Sequence, residues 1–272
     1  MQAKIEKPKK RSQLRLFFGS KFYTAKRFIK WHFGRLDYAK AHSNIDLPYT
    51  IFSHSTPLLR KLKNAHMELQ YNKITNLKLA VNKLNGIVLY PGEVFSFWKL
   101  IGRPTAEKGY LRGLVLENGK AGEGIGGGLC QLSNLIYWMS LHTELDVIER
   151  HRHGYDVFPD SGRTQPFGSG ATCFYNYIDL MIKNNTDKPY RLSLKVGEEN
   201  LEGAWQSDEM PAFTYEVYER GHFIRHEFWG GYTRHNTIYR KKYDLLGNTL
   251  ADEFITENHA IMMYEPFIES RS

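Results

Sequence analysis

The sequence predicts a single α+β domain, with helices towards the N-terminal half and a mainly antiparallel sheet after them. Three observations carry this expectation. Apolar residues recur at helical spacing at Ile74, Leu77, Val81 and Leu84, and again at Leu129, Leu132, Ile136 and Met139. Beyond residue 173 the pattern changes to period-two alternation punctuated by turn residues. Between them, Gly122, Gly124, Gly126, Gly127 and Gly128 form a loop that can be neither strand nor helix, and that opens onto a helix at Cys130.

The charge divides the chain. Residues 1–40 hold 12 Lys or Arg against Glu6 and Asp37, so the net charge of +8 comes from this arm and the rest is slightly acidic. We therefore divide the chain into a basic amphipathic arm, residues 1–44, and a domain, residues 45–272. Within the domain, residues 87–196 hold the motifs and residues 205–272 are β-rich. In the arm, Leu14, Phe18, Phe22, Ala25, Ile29, Phe33 and Leu36 follow one helical stripe, with Arg15, Lys21, Lys26, Arg27 and Lys30 mostly off it. Two readings stay open: the stripe packs on the protein's own core, or residues 1–40 lie on an anionic membrane surface. Nucleic acid is not an expected partner, because no helix-turn-helix, zinc finger or other binding motif stands behind the charge.

The arm does not read as a signal peptide, since residues 14–18 are too short for an apolar core and cations continue beyond them. The longest uncharged window, residues 124–143, opens with glycines and is interrupted by Gln, Ser, Asn and His, so it fails as a membrane span. Two cysteines make no disulfide framework and suit a reducing compartment. The expectation is a cytoplasmic protein, peripheral at most.

Taken in order, residues 46–57 are expected to be a turn-rich connector bounded by Pro48 and Pro57. Residues 58–84 read as helix in two pieces, stopped by Gly86. Residues 87–90 and 94–97 read as strands about a Pro91-Gly92 turn, and residues 114–117 as a strand leading through Asn118-Gly119 into the glycine loop. A strand starting at Val147 would set Glu149, His151 and His153 on one face and Arg150 and Arg152 on the other. Residues 154–172 form a long loop of the kind that often carries function. Residues 173–183 and 190–196 then read as two arms of a hairpin, residues 213–243 as strands broken at Gly221, Gly230 and Gly231, and residues 261–264 as the last strand.

Cys130 sits in the first helical turn, where unpartnered N–H groups and the positive end of the macrodipole favour a thiolate. A histidine follows about one helix and one turn later. Cysteine at a helix start with histidine on the next strand is the layout of papain-like and transglutaminase-like thiol enzymes. It makes Cys130 a candidate nucleophile, His153 a candidate acid or base and, by analogy with transglutaminase-like chain order, Asp179 the group that orients the imidazole. Gln131 or the helix-start N–H groups would stabilise an oxyanion. Gly126, Gly127 and Gly128 would let substrate approach the backbone, and Arg150 and Arg152 would bind a substrate carboxylate. The reaction class would be acyl transfer or amide hydrolysis. The glycine loop lacks the Gly-Lys-Ser or Gly-Lys-Thr ending of a phosphate-binding loop, and no cofactor is implied.

The same residues carry a more specific likeness. Gly126-Gly-Gly-Leu-Cys-Gln-Leu-Ser-Asn and Glu149-Arg-His-Arg-His-Gly are preceded by Tyr90-Pro-Gly-Glu-Val-Phe-Ser-Phe and followed by Asp179-Leu-Met-Ile-Lys-Asn-Asn. Together they resemble the VanW family from about Ile45 to the C-terminus. The resemblance implies an accessory role in glycopeptide resistance and a peptidoglycan precursor or stem peptide as the class of ligand. It carries no activity. One departure stands out: where the wider family has an acidic residue before Ala-Thr, this chain has Gly170 before Ala171-Thr172-Cys173.

Three alternatives stand beside the thiol enzyme. Cys130, Asp179 and Arg150 could each be structural, in the core, at a loop cap or in an ion pair. The long loop and glycine turn could hold a cell-envelope peptide or partner protein without catalysis. Cys130, His151, His153 and Cys173 could ligate zinc, although no paired-ligand spacing supports it. Cys173 could also form a redox-sensitive pair with Cys130.

Overall fold

The fold is described from a computed structural model covering residues 12–40, 42, 45–59, 67–117, 119–157 and 164–266. In chain order the elements are α1 (Gln13–Phe33), β1 (Tyr49–Pro57), α2 (Met67–Leu84), β2 (Val88–Leu89), β3 (Val94–Ser96), α3 (Phe97–Ile101), β4 (Arg112–Glu117), β5 (Lys120–Ile125) and α4 (Cys130–Ser140). There follow β6 (Asp146–Glu149), β7 (Tyr155–Asp156), β8 (Met181–Lys183), β9 (Tyr190–Val196), β10 (Asn200–Ser207), β11 (Thr214–His226), β12 (Tyr232–Tyr243) and β13 (Thr249–Met262). The α+β class expected from the pattern is the class observed.

Two four-stranded sheets frame the molecule, ordered β1-β10-β9-β2 and β11-β12-β13-β7. A three-stranded sheet, β3-β8-β6, and the β4-β5 hairpin complete it. Among the strands of the described residues, all pairings are antiparallel except β13 with β7. The core gathers around α4, whose Leu132, Leu135, Ile136 and Met139 are buried with Phe95, Phe97, Leu192, Leu201 and Trp205. Trp205 meets α4 with both of its characters: its indole N–H donates to Ser140 Oγ at 3.0 Å while its ring lies edge-on to Phe95. The other side of the core is closed by α2, whose Leu77, Ala80, Val81 and Leu84 are buried.

Several expected boundaries move, each for a visible reason. Residues 49–57 are an edge strand rather than a connector, because Thr50-Ile-Phe-Ser-His-Ser-Thr is rich in β-formers and its prolines bracket it. Of the first helical piece expected in residues 58–84, residues 60–66 lie outside the described residues. The strand expected to run on to His153 stops at Glu149. Residues 173–183 yield strand only at Met181–Lys183, because residues 174–178 close a tight turn and Asp179 is drawn into the core. Strands β8 and β9 are not a hairpin but belong to different sheets. The last strand is fourteen residues long rather than a short terminal piece.

The described part of the arm holds one helix, started by Ser12, whose Oγ accepts from the Arg15 N–H, and ended at Gly34. Of its apolar stripe, only Leu36, beyond the helix end, packs against the core. The side chains α1 buries are Arg27 and Trp31, and Leu14, Phe18, Phe22, Ile29 and Phe33 are 61–85% exposed. Among the described residues, no helix is long and apolar enough to cross a membrane.

Candidate functional site

The glycine loop is built by its own neighbours. Gly126 and Gly128 have φ of +76° and +91°, which side chains other than glycine rarely adopt. Gly127 has no such requirement. It lies against the hairpin so closely that a Cβ there would come within 2.2 Å of the Gly113 carbonyl carbon and oxygen. Asn76 from α2 ties the arrangement together, donating from Nδ2 to the Gly127 and Leu111 carbonyls at 3.0 Å and accepting from the Leu111 N–H at 2.8 Å. The glycines are thus consumed in joining β4, β5 and α2 to the start of α4.

The stripe of α4 that begins at Cys130 is covered by an extended stretch of the same chain, residues 168–173. Cys130 Sγ donates to the Cys173 carbonyl at 3.5 Å, Ser133 Oγ to the Ala171 carbonyl at 2.7 Å, and Asn134 Oδ1 accepts from the Ala171 N–H at 2.7 Å. From the other side Arg150 donates to the carbonyls of Gly168 and, at 2.8 Å, Gly170, and reaches Thr256 and Asn258 on β13. Its guanidinium carbon lies 5.2 Å from the Tyr137 ring centre. Gly170 fits because a Cβ there would come within 2.7 Å of Asn134 Oδ1, so any acidic side chain at this position would displace the contact that holds Ala171.

The candidate triad is distributed over this stitching. Cys130 is half-buried and Cys173 buried. Burial pushes the Cys130 thiol up, against a smaller opposing pull from the backbone at Cys173 and Cys130 itself. Cys173 is pushed well up, by burial and then by the neighbouring Cys130. His153 is one residue removed: its backbone N–H donates to Thr172 Oγ1 at 3.0 Å, and burial with the Arg152 charge lowers its pKa, keeping the ring neutral. Cys130 and His153 therefore engage adjacent residues, Cys173 and Thr172. Asp179 is elsewhere engaged. Its carboxylate accepts from Ser96 Oγ at 2.6 Å, from the Trp98 N–H at 3.0 Å and from the Leu180 N–H, so it fixes the start of α3. Burial raises its pKa to about 7, against the hydrogen bonds from Ser96 and Trp98. Among the described residues no hydrogen bond joins Asp179 to His153 or His153 to Cys130.

The remaining expected residues have structural partners too. Gln131 donates from Nε2 to Thr56 Oγ1 at 3.0 Å and to the Pro57 carbonyl at 2.9 Å, fastening the end of β1 to α4. Arg152 lies with its guanidinium carbon 3.8 Å from the Phe167 ring centre. His151 pairs with Glu149 at 3.2 Å. Among the described residues no group of three or more His, Cys, Asp or Glu is placed to hold a metal ion, so the four residues weighed as zinc ligands do not form one cluster.

What sequence reasoning missed lies next to Arg150. A cleft of about 540 Å³ opens between the C-terminal half of α4, β6 and the β12-β13 pair. It is lined by Tyr137, Leu141, residues 145–150, Arg240 and residues 253–256. Ile148 and Phe254 are exposed in it, and Arg240 is fixed by Glu253 at 2.5 Å and by the Thr143 carbonyl at 2.9 Å. Its lining is mixed, with Asp146, Glu149, Arg150, Arg240 and Glu253 beside Ile148, Ile255 and Phe254, and its volume is within the range of about 300–1,000 Å³ that small-ligand sites occupy. No signal in the sequence could place it, because its two walls are about a hundred residues apart. The covered stripe was partly legible, since Ser133 and Asn134 interrupt the apolar run of the helix between Leu132 and Leu135.

Comparisons with known proteins agree with the motifs. The model of the family described as VanW like protein matches residues 72–206. The Vancomycin B-type resistance protein VanW of Enterococcus faecalis (strain ATCC 700802 / V583) is 37% identical over 180 residues, 66% of this chain and 66% of that protein. The Uncharacterized protein YoaR of Bacillus subtilis (strain 168) is 28% identical over 120 residues, 44% of this chain and 38% of that protein. No solved structure matches. With its glycine loop, Cys130 helix and Asp179 strand all inside the matched span, the chain belongs to the VanW family.

Proposed function

We propose that this chain is an accessory protein of vancomycin resistance that holds a peptidoglycan-type peptide without covalent catalysis. The resistance setting comes from the 37% identical relative, a vancomycin B-type resistance protein. The observation that carries the non-catalytic reading is the covering of the Cys130 stripe by residues 168–173. A sulfur that donates to a carbonyl is a protonated one, burial favours that neutral form, and the acid expected to orient His153 serves α3 instead. The cleft beside Arg150 then becomes the seat: Ile148 and Phe254 offer apolar contact, while Arg240 and Glu253 offer fixed charges to the carboxylates and ammonium groups of such a peptide.

One observation favours a second reading, a thiol acyltransferase or amidase. Cys130 and His153 bracket the Thr172-Cys173 step, and His153 stays neutral as a base must, so withdrawal of residues 168–173 would expose both. Titration calorimetry with a soluble muramyl pentapeptide separates the two. The binding reading predicts a dissociation constant unchanged within about twofold in Cys130→Ser and weakened about tenfold in Phe254→Ala, roughly the loss of one aromatic contact. Turnover of the peptide that disappears in Cys130→Ser would replace this reading with the second.

A further inference from the structure

We propose that α1 is an in-plane lipid helix that ties the domain to an anionic membrane surface. The helix has two opposed faces with different partners. Arg27 forms a two-point ion pair with Glu149, with the second contact at 3.0 Å, and donates to the Tyr177 carbonyl at 2.9 Å. Lys30 reaches the same carboxylate at 3.2 Å, Asn176 Nδ2 donates to the Thr24 carbonyl at 3.4 Å, and Lys99 Nζ donates to the carbonyl of buried Trp31 at 3.0 Å. This is the docked face, and it is held by charge and hydrogen bonds rather than by the apolar stripe.

At 3.6 residues per turn, Ile29 points about 160° away from Arg27. Leu14, Phe18, Phe22 and Ala25 share its side of the helix, and Phe33 continues it. These residues therefore face directly away from the protein, and they are exposed. Lys21 lies on one flank of that stripe and Arg15 and Lys26 on the other, all exposed. The 21-residue helix is about 31 Å long and is not apolar enough to span a bilayer, so a membrane would meet it lying flat.

The occupant follows from charge. No acidic residue occurs between positions 12 and 36, whereas Lys and Arg stand on both sides of the apolar stripe and continue through Lys4, Lys7, Lys9, Lys10 and Arg11 in the sequence before it. An apolar strip with cations on both edges complements a surface that is apolar beneath and negative above, which is the head-group region of anionic lipid. A second copy of the same face would set cation against cation. Because the docked face uses Glu149, next to Arg150 and on the wall of the cleft, lipid-bound α1 would hold the cleft at a fixed height above the bilayer.

Co-sedimentation of the full chain with vesicles tests this, using phosphatidylcholine alone and phosphatidylcholine with 30% phosphatidylglycerol, at low salt and at 0.5 M NaCl. The expected result is at least tenfold tighter partitioning onto the anionic vesicles, reduced by salt, and a loss of at least tenfold in Phe18→Ser/Phe22→Ser and in Lys21→Glu/Lys26→Glu. These four side chains are exposed, and an unchanged melting temperature in both variants would show that the domain remains folded. Equal binding to neutral vesicles, or indifference to both double variants, would overturn the proposal. So would a dimer in sedimentation equilibrium that the Phe18→Ser/Phe22→Ser change dissolves without any lipid binding, which would assign the face to a second copy.

Discussion

The Sγ of Cys130 donates to the carbonyl oxygen of Cys173 at 3.5 Å, and this contact joins the first turn of α4 to the far end of the stretch that covers it. It is one of a series. Ser133, Asn134 and Arg150 satisfy the carbonyls of Gly168, Gly170 and Ala171 and the Ala171 N–H, so these backbone groups are covered without losing their hydrogen bonds. A cysteine in such a series is a packing residue with a weak donor.

The glycine loop gives a prediction by position. In Gly127→Ala the new methyl would meet the Gly113 backbone at 2.2 Å, and neither backbone can withdraw without breaking the Asn76 hydrogen bonds. A loss of about 3 kcal/mol is expected, the upper part of the usual overpacking range. Gly154→Ala, where nothing lies within 4 Å, is the control and should change stability by less than about 0.5 kcal/mol. Urea unfolding of the two variants measures the contrast.

Glu149 contributes to the acid dependence of stability. Burial alone would raise its pKa, but hydrogen bonds from His151 and Arg27 and the charges of Arg27 and Lys30 outweigh it and hold the pKa near 2. A folded pKa below the unfolded one contributes stability that is present above the unfolded value, about 4.3, and is lost as pH falls through 2. Glu149→Gln should therefore cost about 3 kcal/mol at pH 7 and flatten the stability curve between pH 4.3 and 2.

Asp179 works in the opposite sense. Its folded pKa of about 7 lies above the unfolded value of about 3.9, so its contribution is full below pH 3.9 and declines as pH rises towards 7. Asp179→Asn keeps an acceptor for the Trp98 and Leu180 N–H groups and removes the buried charge. The variant should gain about 2 to 3 kcal/mol on the natural chain between pH 5 and pH 8, read from urea midpoints. A candidate catalytic acid hydrogen-bonded to His153 would show no such gain.

How much of this was legible depends on how local each signal is. The strand β4, the turn at Gly119 and the α4 start were readable, because Gly119, Gly126 and Gly128 each take a positive φ. Gly122 and Gly124, expected in a loop, instead lie in β5, where pairing with Val115 and Gly113 overrides the low strand preference of glycine. The helical stripe of α1 was readable, but its partner was not: periodicity finds Leu14, Phe18 and Phe22 without saying that Arg27 will be drawn inward by Glu149, 122 positions away. Asp179 shows the same limit. Its place after Cys130 and His153 in the chain suggested chemistry by analogy with transglutaminase-like order, whereas long-range folding sets it against Ser96 and the Trp98 N–H. The cleft at Arg150 needs residues of α4, β6, β12 and β13 brought to one place, which no local pattern encodes.

The account rests on Cys130 being a neutral thiol covered by its own chain, and the pH dependence of its alkylation by iodoacetamide, followed by mass spectrometry on the native protein and on His153→Ala, tests this most directly. The prediction is slow modification that rises only above the free-thiol range of about 8.5, with the same profile in both proteins. Fast modification near neutral pH, with a midpoint that moves up when His153 is removed, would contradict it and restore Cys130 and His153 as a working pair.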